Sequence, residues 1–211
     1  MAKKAVLFLN GSINLSFSEN YIEKYYKNYP IYCADGAYNL VSRSNKLFFK
    51  VQRIIGDIDS IKSYNQHGHL YLLNTNPHFT DFEKALFYLT NLAIETIIIF
   101  GFGGKEMDHY LGNVSVLLAY KDRVKIKIID EYGSSCFMKP AMRVRSVRNR
   151  IISIVPLFQL LDITVSGFVF NFQHHSLIFG QKIGIRNRAF LDTVLINYRS
   201  GCGLLFIAHN S

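Results

Sequence analysis

The chain has 211 residues, of which 49% are hydrophobic and 18% charged; it can therefore bury one large core or two small ones, and its composition excludes a disordered chain. Its net charge of +9 favours a polyanionic partner: a nucleic acid, an anionic surface or a phosphorylated small molecule. The three cysteines lack metal-ligand spacing: they are Cys33, Cys136 and Cys202. Their odd number and spacing argue against a disulfide scaffold or a zinc site and favour a reducing cytoplasm.

Membrane partners are not expected from the distribution of apolar residues. No hydrophobic run approaches the ~20 residues that a membrane span needs. The apolar run at residues 5–9 is also too short for the core of a signal peptide.

Strand-like and helix-like patterns alternate from the N-terminus to residue 132. Short apolar runs predict strands at residues 5–9, 31–34, 51–56, 70–73, 96–100 and 125–129. Helical spacing predicts helices from about residue 18, at 37–43, from 80 and at 108–120. In the last of these, the apolar stripe is expected to be Leu111, Val114, Leu117 and Leu118. This alternation indicates a mostly parallel sheet with helices on both faces, which we assign to a domain spanning residues 1–132.

The pattern changes after residue 132. Helical spacing disappears, and short β-rich runs follow at residues 151–155, 163–172, 176–179, 193–198 and 204–207. We therefore expect a smaller all-β sandwich domain over residues 133–211.

Acidic side chains collect where the first predicted strands end. Asp35 follows one strand, and Asp57 and Asp59 follow the next. Ligands of open parallel sheets bind at this edge. In extended chain, Asp57 and Asp59 would share a face and repel each other unless a cation lay between them, and such hard oxygen ligands suit Mg²⁺. A turn carrying two solvated aspartates is the alternative.

A capping box marks the start of the third predicted helix. Thr80 is expected to cap the helix, and Glu83 to return the bond. Asp81 lies in the first turn, where the helix dipole favours an acid, and Lys84 is expected to be a solvated charge. His174 and His175 are expected in a loop, and the basic residues between Lys139 and Arg150 on the surface.

These residues, in this order, resemble the thiamine pyrophosphokinase family. The resemblance is carried by the Asp35–Gly36 pair and by residues 56–60, 80–86, 103–105 and 108–113. It continues at residues 152–157, 165–168 and 184–187, so it spans nearly the whole chain.

The resemblance implies pyrophosphate transfer from ATP to thiamine by a homodimer with its active site at the subunit interface. It implies catalytic roles for Asp57, Asp59 and Asp81, and Mg²⁺ ligation by these three and Asp35. The implied substrate-binding residues are Asn10, Asp35, Gly36, Ser60, Thr80, Gly103, Gly104, Lys105, Asp108, His109, Asn113 and Asn187.

Two departures from the family pattern stand out. His78 occupies a position that is usually a carboxylate, and Arg186 precedes Asn187 where the family often has serine.

Two other functions are the alternatives. A Mg²⁺-dependent nucleotide phosphohydrolase would use the same acids, and a basic nucleic-acid-binding protein would explain the charge but not the acids.

Overall fold

The computed structural model describes residues 3–57, 59–60 and 71–209. The chain divides into two compact units between Glu131 and Tyr132. In the described residues, no helix is long and apolar enough to cross a membrane.

The N-terminal unit is a parallel sheet with helices in its crossovers. Its strands are β1 (Lys4–Phe8), β2 (Ile31–Ala34), β3 (Val51–Gly56), β4 (Tyr71–Leu73), β5 (Thr96–Phe100) and β6 (Lys125–Ile129). Its helices are α1 (Leu15–Tyr25), α2 (Tyr38–Val41), α3 (Asp81–Asn91) and α4 (Met107–Ala119). The strands lie in the order β4-β3-β2-β1-β5-β6, and each neighbouring pair is parallel.

Burial explains why this sheet forms. All four residues of β2, and four of the five in β1 and in β5, are buried, as expected for strands covered on both faces. The chain leaves β1 toward β2 on one side and later returns to β5 on the other side. This reversal creates a switch point at the carboxyl ends of β1 and β5, where open sheets bind ligands.

The C-terminal unit is an antiparallel β structure built around one long strand. Its strands are β7 (Gly133–Phe137), β8 (Ala141–Val144), β9 (Ile151–Ser166), β10 (Phe172–Ile178), β11 (Gly184–Arg188), β12 (Val194–Asn197) and β13 (Ser200–Ala208). Strand β9 pairs with β10, β11, β12 and β13. Residues Phe158 and Asp162 of β9 have positive φ values of 77° and 56°, and such local distortions let one strand serve two sheets of a sandwich. The expected fold class, a parallel α/β sheet followed by an all-β sandwich, is confirmed.

Three details of the predicted elements are wrong. The run at residues 163–172 is not one strand, because Gly167 adopts a φ of 85° and the chain turns between β9 and β10. Leu111 is 59% exposed, whereas Val116 is buried, so the buried face of α4 is displaced from the predicted stripe. Helix α1 begins at Leu15, where the Asn14 side chain accepts a hydrogen bond from the Phe17 amide. The predicted strand at 70–73 includes Leu70, which lies outside the described residues.

Candidate active site

A cleft of about 560 Å³ lies at the carboxyl ends of the strands in the N-terminal unit. Most of the predicted site residues line it: Asn10, Asp35, Asp57, Ser60, Thr80, Asp81, Gly104, Lys105, Asp108, His109 and Asn113. Gly36, Asp59 and Gly103 do not line this cleft, and Asn187 belongs to the C-terminal unit. The topology therefore gathers residues that are up to 103 positions apart in the sequence, as between Asn10 and Asn113.

Three carboxylates meet in this cleft. Asp35, Asp57 and Asp81 each offer an oxygen atom, and these three atoms lie within 4.8 Å of one another. Asp35 follows β2, Asp57 follows β3, and Asp81 is the first residue of α3. The parallel strands thus bring together three like charges, which repel each other unless a cation lies nearby.

Asp35 is the least solvated member of this carboxylate trio. The residue is buried, and its Oδ1 has no hydrogen-bond partner within residues 3–57, 59–60 and 71–209. Burial raises the pKa of Asp35, as do the charges of Asp59 and Asp57, while hydrogen bonds from Ser60 and the Gly36 backbone lower it. Its φ of 36° is unusual for a residue other than glycine. Strain and an unpaired buried oxygen in one residue are typical of a functional site.

Gly56 makes the approach of the carboxylates possible. A Cβ atom at this position would lie 2.8 Å from Asp35 Cβ and 3.0 Å from Asp81 Oδ1. Any side chain would therefore push one of the two aspartates away. The Gly-Asp sequence at the end of β3 is explained by this contact.

Lys84 is a buried cation beside the trio, which corrects the expectation of a solvated helix charge. Its side chain is 2% exposed, and Nζ lies 3.0 Å from Asp81 Oδ1 and 3.6 Å from Asp57 Oδ2. Burial lowers the pKa of Lys84, but the hydrogen bond and charge of Asp81, with those of Asp57, outweigh it, so the pKa is raised. The pKa of Asp81 is raised by burial and by Asp57 and Asp35, against the opposing effect of Lys84. The spacing of three residues from Asp81 on α3 was a signal for this contact.

Asp59 stands outside the trio. Strand β3 ends at Gly56 and Asp59 lies in a turn, so the alternation that would place Asp57 and Asp59 on one face does not extend to it. Asp59 is exposed and its Oδ1 accepts a hydrogen bond of 2.9 Å from the Ser60 hydroxyl. Its role as a metal ligand stays a prediction.

The loops after β1 and β5 are joined across the switch point. The Gly11 amide donates to the Gly101 carbonyl at 3.0 Å, and the Ser12 amide to the Gly103 carbonyl at 2.8 Å. Lys105 Nζ donates to the backbone carbonyl of Asn10 at 2.6 Å and to its Oδ1 at 3.0 Å. These bonds fix the Lys105 ammonium at the edge of the cleft.

Glycine at position 104 is required by the neighbouring loop. With its φ of 79°, a Cβ atom would lie 2.2 Å from Ser12 Oγ. The close approach of Ser12 therefore accounts for glycine at position 104. At Gly103 an added Cβ atom would make only ordinary contacts with Tyr110.

The start of α4 contributes exposed polar groups. Asp108 Oδ1 accepts a hydrogen bond of 2.9 Å from the His109 amide, and His109 Nε2 lies 3.4 Å from Glu106 Oε2. Asn113 donates to the Phe102 carbonyl at 3.0 Å, so it supports the loop as well as lining the cleft.

The remaining predicted residues have local structural partners. Thr80 Oγ1 accepts a hydrogen bond of 3.2 Å from the Glu83 amide, which is the expected helix cap. In the C-terminal unit, Asn187 accepts from the Phe170 amide at 3.2 Å and donates to the Phe170 carbonyl at 2.8 Å. Gly36 packs against Asn10, because a Cβ atom there would lie 2.7 Å from Asn10 Nδ2. His174 lies in β10 rather than in a loop, 2.7 Å from Asp162.

Comparison with known proteins identifies the family. The family model described as "Thiamin pyrophosphokinase, catalytic domain" matches residues 22–128, which is more than half of the chain. The chain belongs to the thiamin pyrophosphokinase family. The resemblance carried by its motifs is thereby confirmed, and the chain is an enzyme of this type.

Individual relatives agree in sequence and fold. The thiamine pyrophosphokinase of Bacillus subtilis (strain 168) is 26% identical over 163 residues, which cover 69% of this chain and 76% of that protein. The crystal structure of thiamine pyrophosphokinase from Bacillus subtilis superposes with a TM-score of 0.83 at 19% identity, covering 99% of this chain and 100% of that one. The yeast thiamin pyrophosphokinase structure gives 0.82 at 16% identity, covering 98% and 86%. These structural similarities show a shared fold.

The donor set of the cleft fits a hard divalent cation. All three members of the trio offer carboxylate oxygens, which Mg²⁺ prefers. Asp35 Oδ1, which has no hydrogen-bond partner in the part of the chain that the structure describes, provides an oxygen that a cation would satisfy. A bound cation would also relieve the repulsion between the three side chains.

Substitution of Gly56 should disrupt the trio. We expect Gly56→Ala to reduce activity by about 10- to 100-fold, because its Cβ atom displaces Asp35 or Asp81, and to weaken Mn²⁺ binding measured by calorimetry. Gly112→Ala is the matched control in the same cleft. Apart from its chain neighbours and the backbone of its own helix, nothing lies within 4 Å of the added Cβ, so Mn²⁺ affinity should be kept, and its position in α4 should make it more stable by up to about 1 kcal/mol. Full Mn²⁺ affinity in Gly56→Ala would contradict the packing argument.

Substitution of Asp35 should stabilise the metal-free protein while abolishing activity. Folding favours the protonated form of Asp35 because its pKa is raised above 3.8. That stability is fully present below the ordinary pKa and is lost as pH rises through the raised pKa. Asp35→Asn, which tolerates positive φ and carries no charge, should gain about 1 kcal/mol at neutral pH.

Urea unfolding with a chelator at about pH 4 and pH 7 tests this expectation. The gain in Asp35→Asn should be larger at the higher pH, because the wild type loses its contribution as pH rises. A variant that is less stable than wild type at neutral pH would show that Asp35 is a structural residue.

Proposed function

We propose that this chain transfers a pyrophosphoryl group from ATP to the hydroxyethyl oxygen of thiamine, with Mg²⁺ as cofactor. A bond forms between that oxygen and the β-phosphorus of ATP, and the bond from this phosphorus to the oxygen bridging the α-phosphate breaks. The products are thiamine diphosphate, AMP and the proton of the alcohol. The observation that carries the proposal is the carboxylate trio, in the cleft of a chain from this family, with a buried oxygen that has no partner among the described residues.

The charges in the cleft suit a metal–nucleotide complex. Asp35, Asp57 and Asp81 would hold Mg²⁺, which supplies Lewis acidity to phosphate oxygens. Lys105, held at the edge by Asn10, offers a second positive charge to the phosphates. Acids alone repel phosphate, so a trio of carboxylates beside a lysine supports a metal-bound nucleotide more than a metal-free anion.

Aromatic side chains in the same cleft are candidates for contact with thiamine. Phe79, Phe102 and Tyr110 line it, and the rings of Phe102 and Tyr110 are 5.9 Å apart in an edge-to-face arrangement. The sequence has no tryptophan, so these rings would stack on the heterocycles and hold the cationic thiazolium.

The decisive assay follows two products in parallel. Purified protein with ATP, Mg²⁺ and thiamine should form thiamine diphosphate and AMP in equal amounts. Asp57→Asn should lower the rate by at least about 100-fold, because it removes a metal ligand. Asp122→Asn, a change at a side chain that is 82% exposed, should leave the rate unchanged.

Other outcomes of the assay identify the alternatives. ATP turnover that does not need thiamine would indicate the nucleotide phosphohydrolase. Absence of both activities in folded protein, with salt-sensitive binding of DNA or RNA, would indicate the nucleic-acid-binding function.

We also propose a homodimer, working in the cytoplasm, whose active site is completed by the partner subunit. The C-terminal unit exposes apolar side chains on two loops: Val169 and Phe170 between β9 and β10, and Phe190 and Leu191 between β11 and β12, with exposures of 50–71%. The two loops are joined by hydrogen bonds from Val169 to Arg188 and from Phe190 to Gly167. Patches of this kind mark protein interfaces.

Phe170→Asp should convert the protein to a monomer in sedimentation velocity, because a charge in an apolar interface must be desolvated on association. Phe49→Asp, at an 81% exposed residue of the N-terminal unit, should leave the association state unchanged. A wild-type protein that sediments as a monomer at micromolar concentration would contradict the dimer.

A further inference from the structure

We propose that Lys84 sets the net charge of the cation site, and so lowers its affinity for a trivalent ion more than its affinity for a divalent ion. This inference deepens the proposed function and rests on its magnesium site. Lys84 is a positioning residue here: it acts through Asp57 and Asp81, and no contact with substrate is assigned to it.

The charge balance follows from the contacts of Lys84. The carboxylate trio carries a charge of −3 when ionised, and the buried Lys84 ammonium, 3.0 Å from Asp81 and 3.6 Å from Asp57, adds +1. The resulting −2 is neutralised by one divalent cation. Asp59 is exposed and lies outside the trio, and its charge raises the pKa of Asp35. This charge is the same in wild type and in Lys84 variants, so it does not alter the comparison between them.

The position of Lys84 makes this charge fixed. The side chain is 2% exposed, Asp81 lies three residues before it on the same face of α3, and its neighbour Ala85 is fully buried. Although Lys84 borders the cleft, its Nζ is held by Asp81 at 3.0 Å and lies 3.6 Å from Asp57. Its charge therefore remains beside the ligands and opposes any excess positive charge.

Loss of the Lys84 charge should change the affinities for divalent and trivalent ions by different amounts. Coulomb energy scales with the charge of the bound ion, so the loss of Lys84 should increase the affinity for a trivalent ion 1.5 times as much, in logarithmic units, as the affinity for a divalent ion. A tenfold gain for Mn²⁺ would correspond to about a thirtyfold gain for Tb³⁺. A merely structural role predicts the opposite sign, because disordered ligands bind both ions more weakly.

The experiment measures Mn²⁺ and Tb³⁺ binding to the full chain without nucleotide, by electron paramagnetic resonance of free Mn²⁺ and by Tb³⁺ luminescence. Lys84→Met should bind Mn²⁺ at least tenfold more tightly, with the larger gain for Tb³⁺, and Lys84→Arg should stay within about threefold of wild type. Lys27→Met is the matched control, because Lys27 also pairs with an acid one helical turn away, at 67% exposure, and it should change neither affinity.

The outcomes separate this inference from the proposed function. Wild type that binds no Mn²⁺ would overturn the magnesium site and the inference together. Wild-type binding that Lys84→Met leaves unchanged or weakens would overturn the inference alone. Lys84→Gln, which keeps a donor toward Asp81, replaces the methionine variant if that one does not fold. If neither Lys84→Met nor Lys84→Gln folds in the presence of Mn²⁺, Lys84 is required for folding, and the inference is overturned.

Discussion

The mutual repulsion of Asp35, Asp57 and Asp81 is the constraint on which the rest of the N-terminal unit depends. Three carboxylates held within 4.8 Å would separate in a flexible chain. Here they are attached to the ends of buried parallel strands and to the first turn of a helix, so the packing energy of the sheet opposes their separation. Lys84 offsets part of the repulsion, and a divalent cation would offset the remainder.

Several features of the chain become intelligible from this constraint. Gly56 has no side chain because both Asp35 and Asp81 occupy the space beside it. Asp35 has an unusual positive φ, and its pKa is raised by burial and by the charges of Asp59 and Asp57. Such costs are usual where a site is built for a ligand, and the stability that they consume comes from elsewhere in the fold.

The switch point supplies the second half of the site. Backbone hydrogen bonds between the loops after β1 and β5 hold Asn10 and Lys105 in register. The anionic trio and the Lys105 ammonium therefore lie in one cleft, a distribution of charge that suits a metal ion and the phosphates it binds.

Much of this arrangement could be predicted from the sequence because strand-end acids follow a simple rule. Asp35 and Asp57 come directly after apolar runs, and parallel strands place their carboxyl ends at one edge, so their meeting with Asp81 required only the order of elements and the family motifs. The Thr80 cap was predictable for a different reason: capping depends only on residues three positions apart in the sequence.

The errors arose where tertiary packing overrides local pattern. The spacing from Asp81 indicated an ion pair for Lys84, but not its burial, because its second acidic neighbour, Asp57, is 27 residues away in the chain. Asp59 was placed by alternation, which fails once β3 ends at Gly56 and the chain turns. The prediction of a single strand at 163–172 missed the turn at Gly167, because apolar residues occur on both sides of this glycine in the run.

The most direct test of this account is a crystal structure of the protein with Mn²⁺, using its anomalous scattering to locate the ion. The account predicts one strong anomalous peak in contact with carboxylate oxygens of Asp35, Asp57 and Asp81, with Lys84 still paired to Asp81. A peak held by other residues, or none in a crystal whose protein makes thiamine diphosphate, would contradict it.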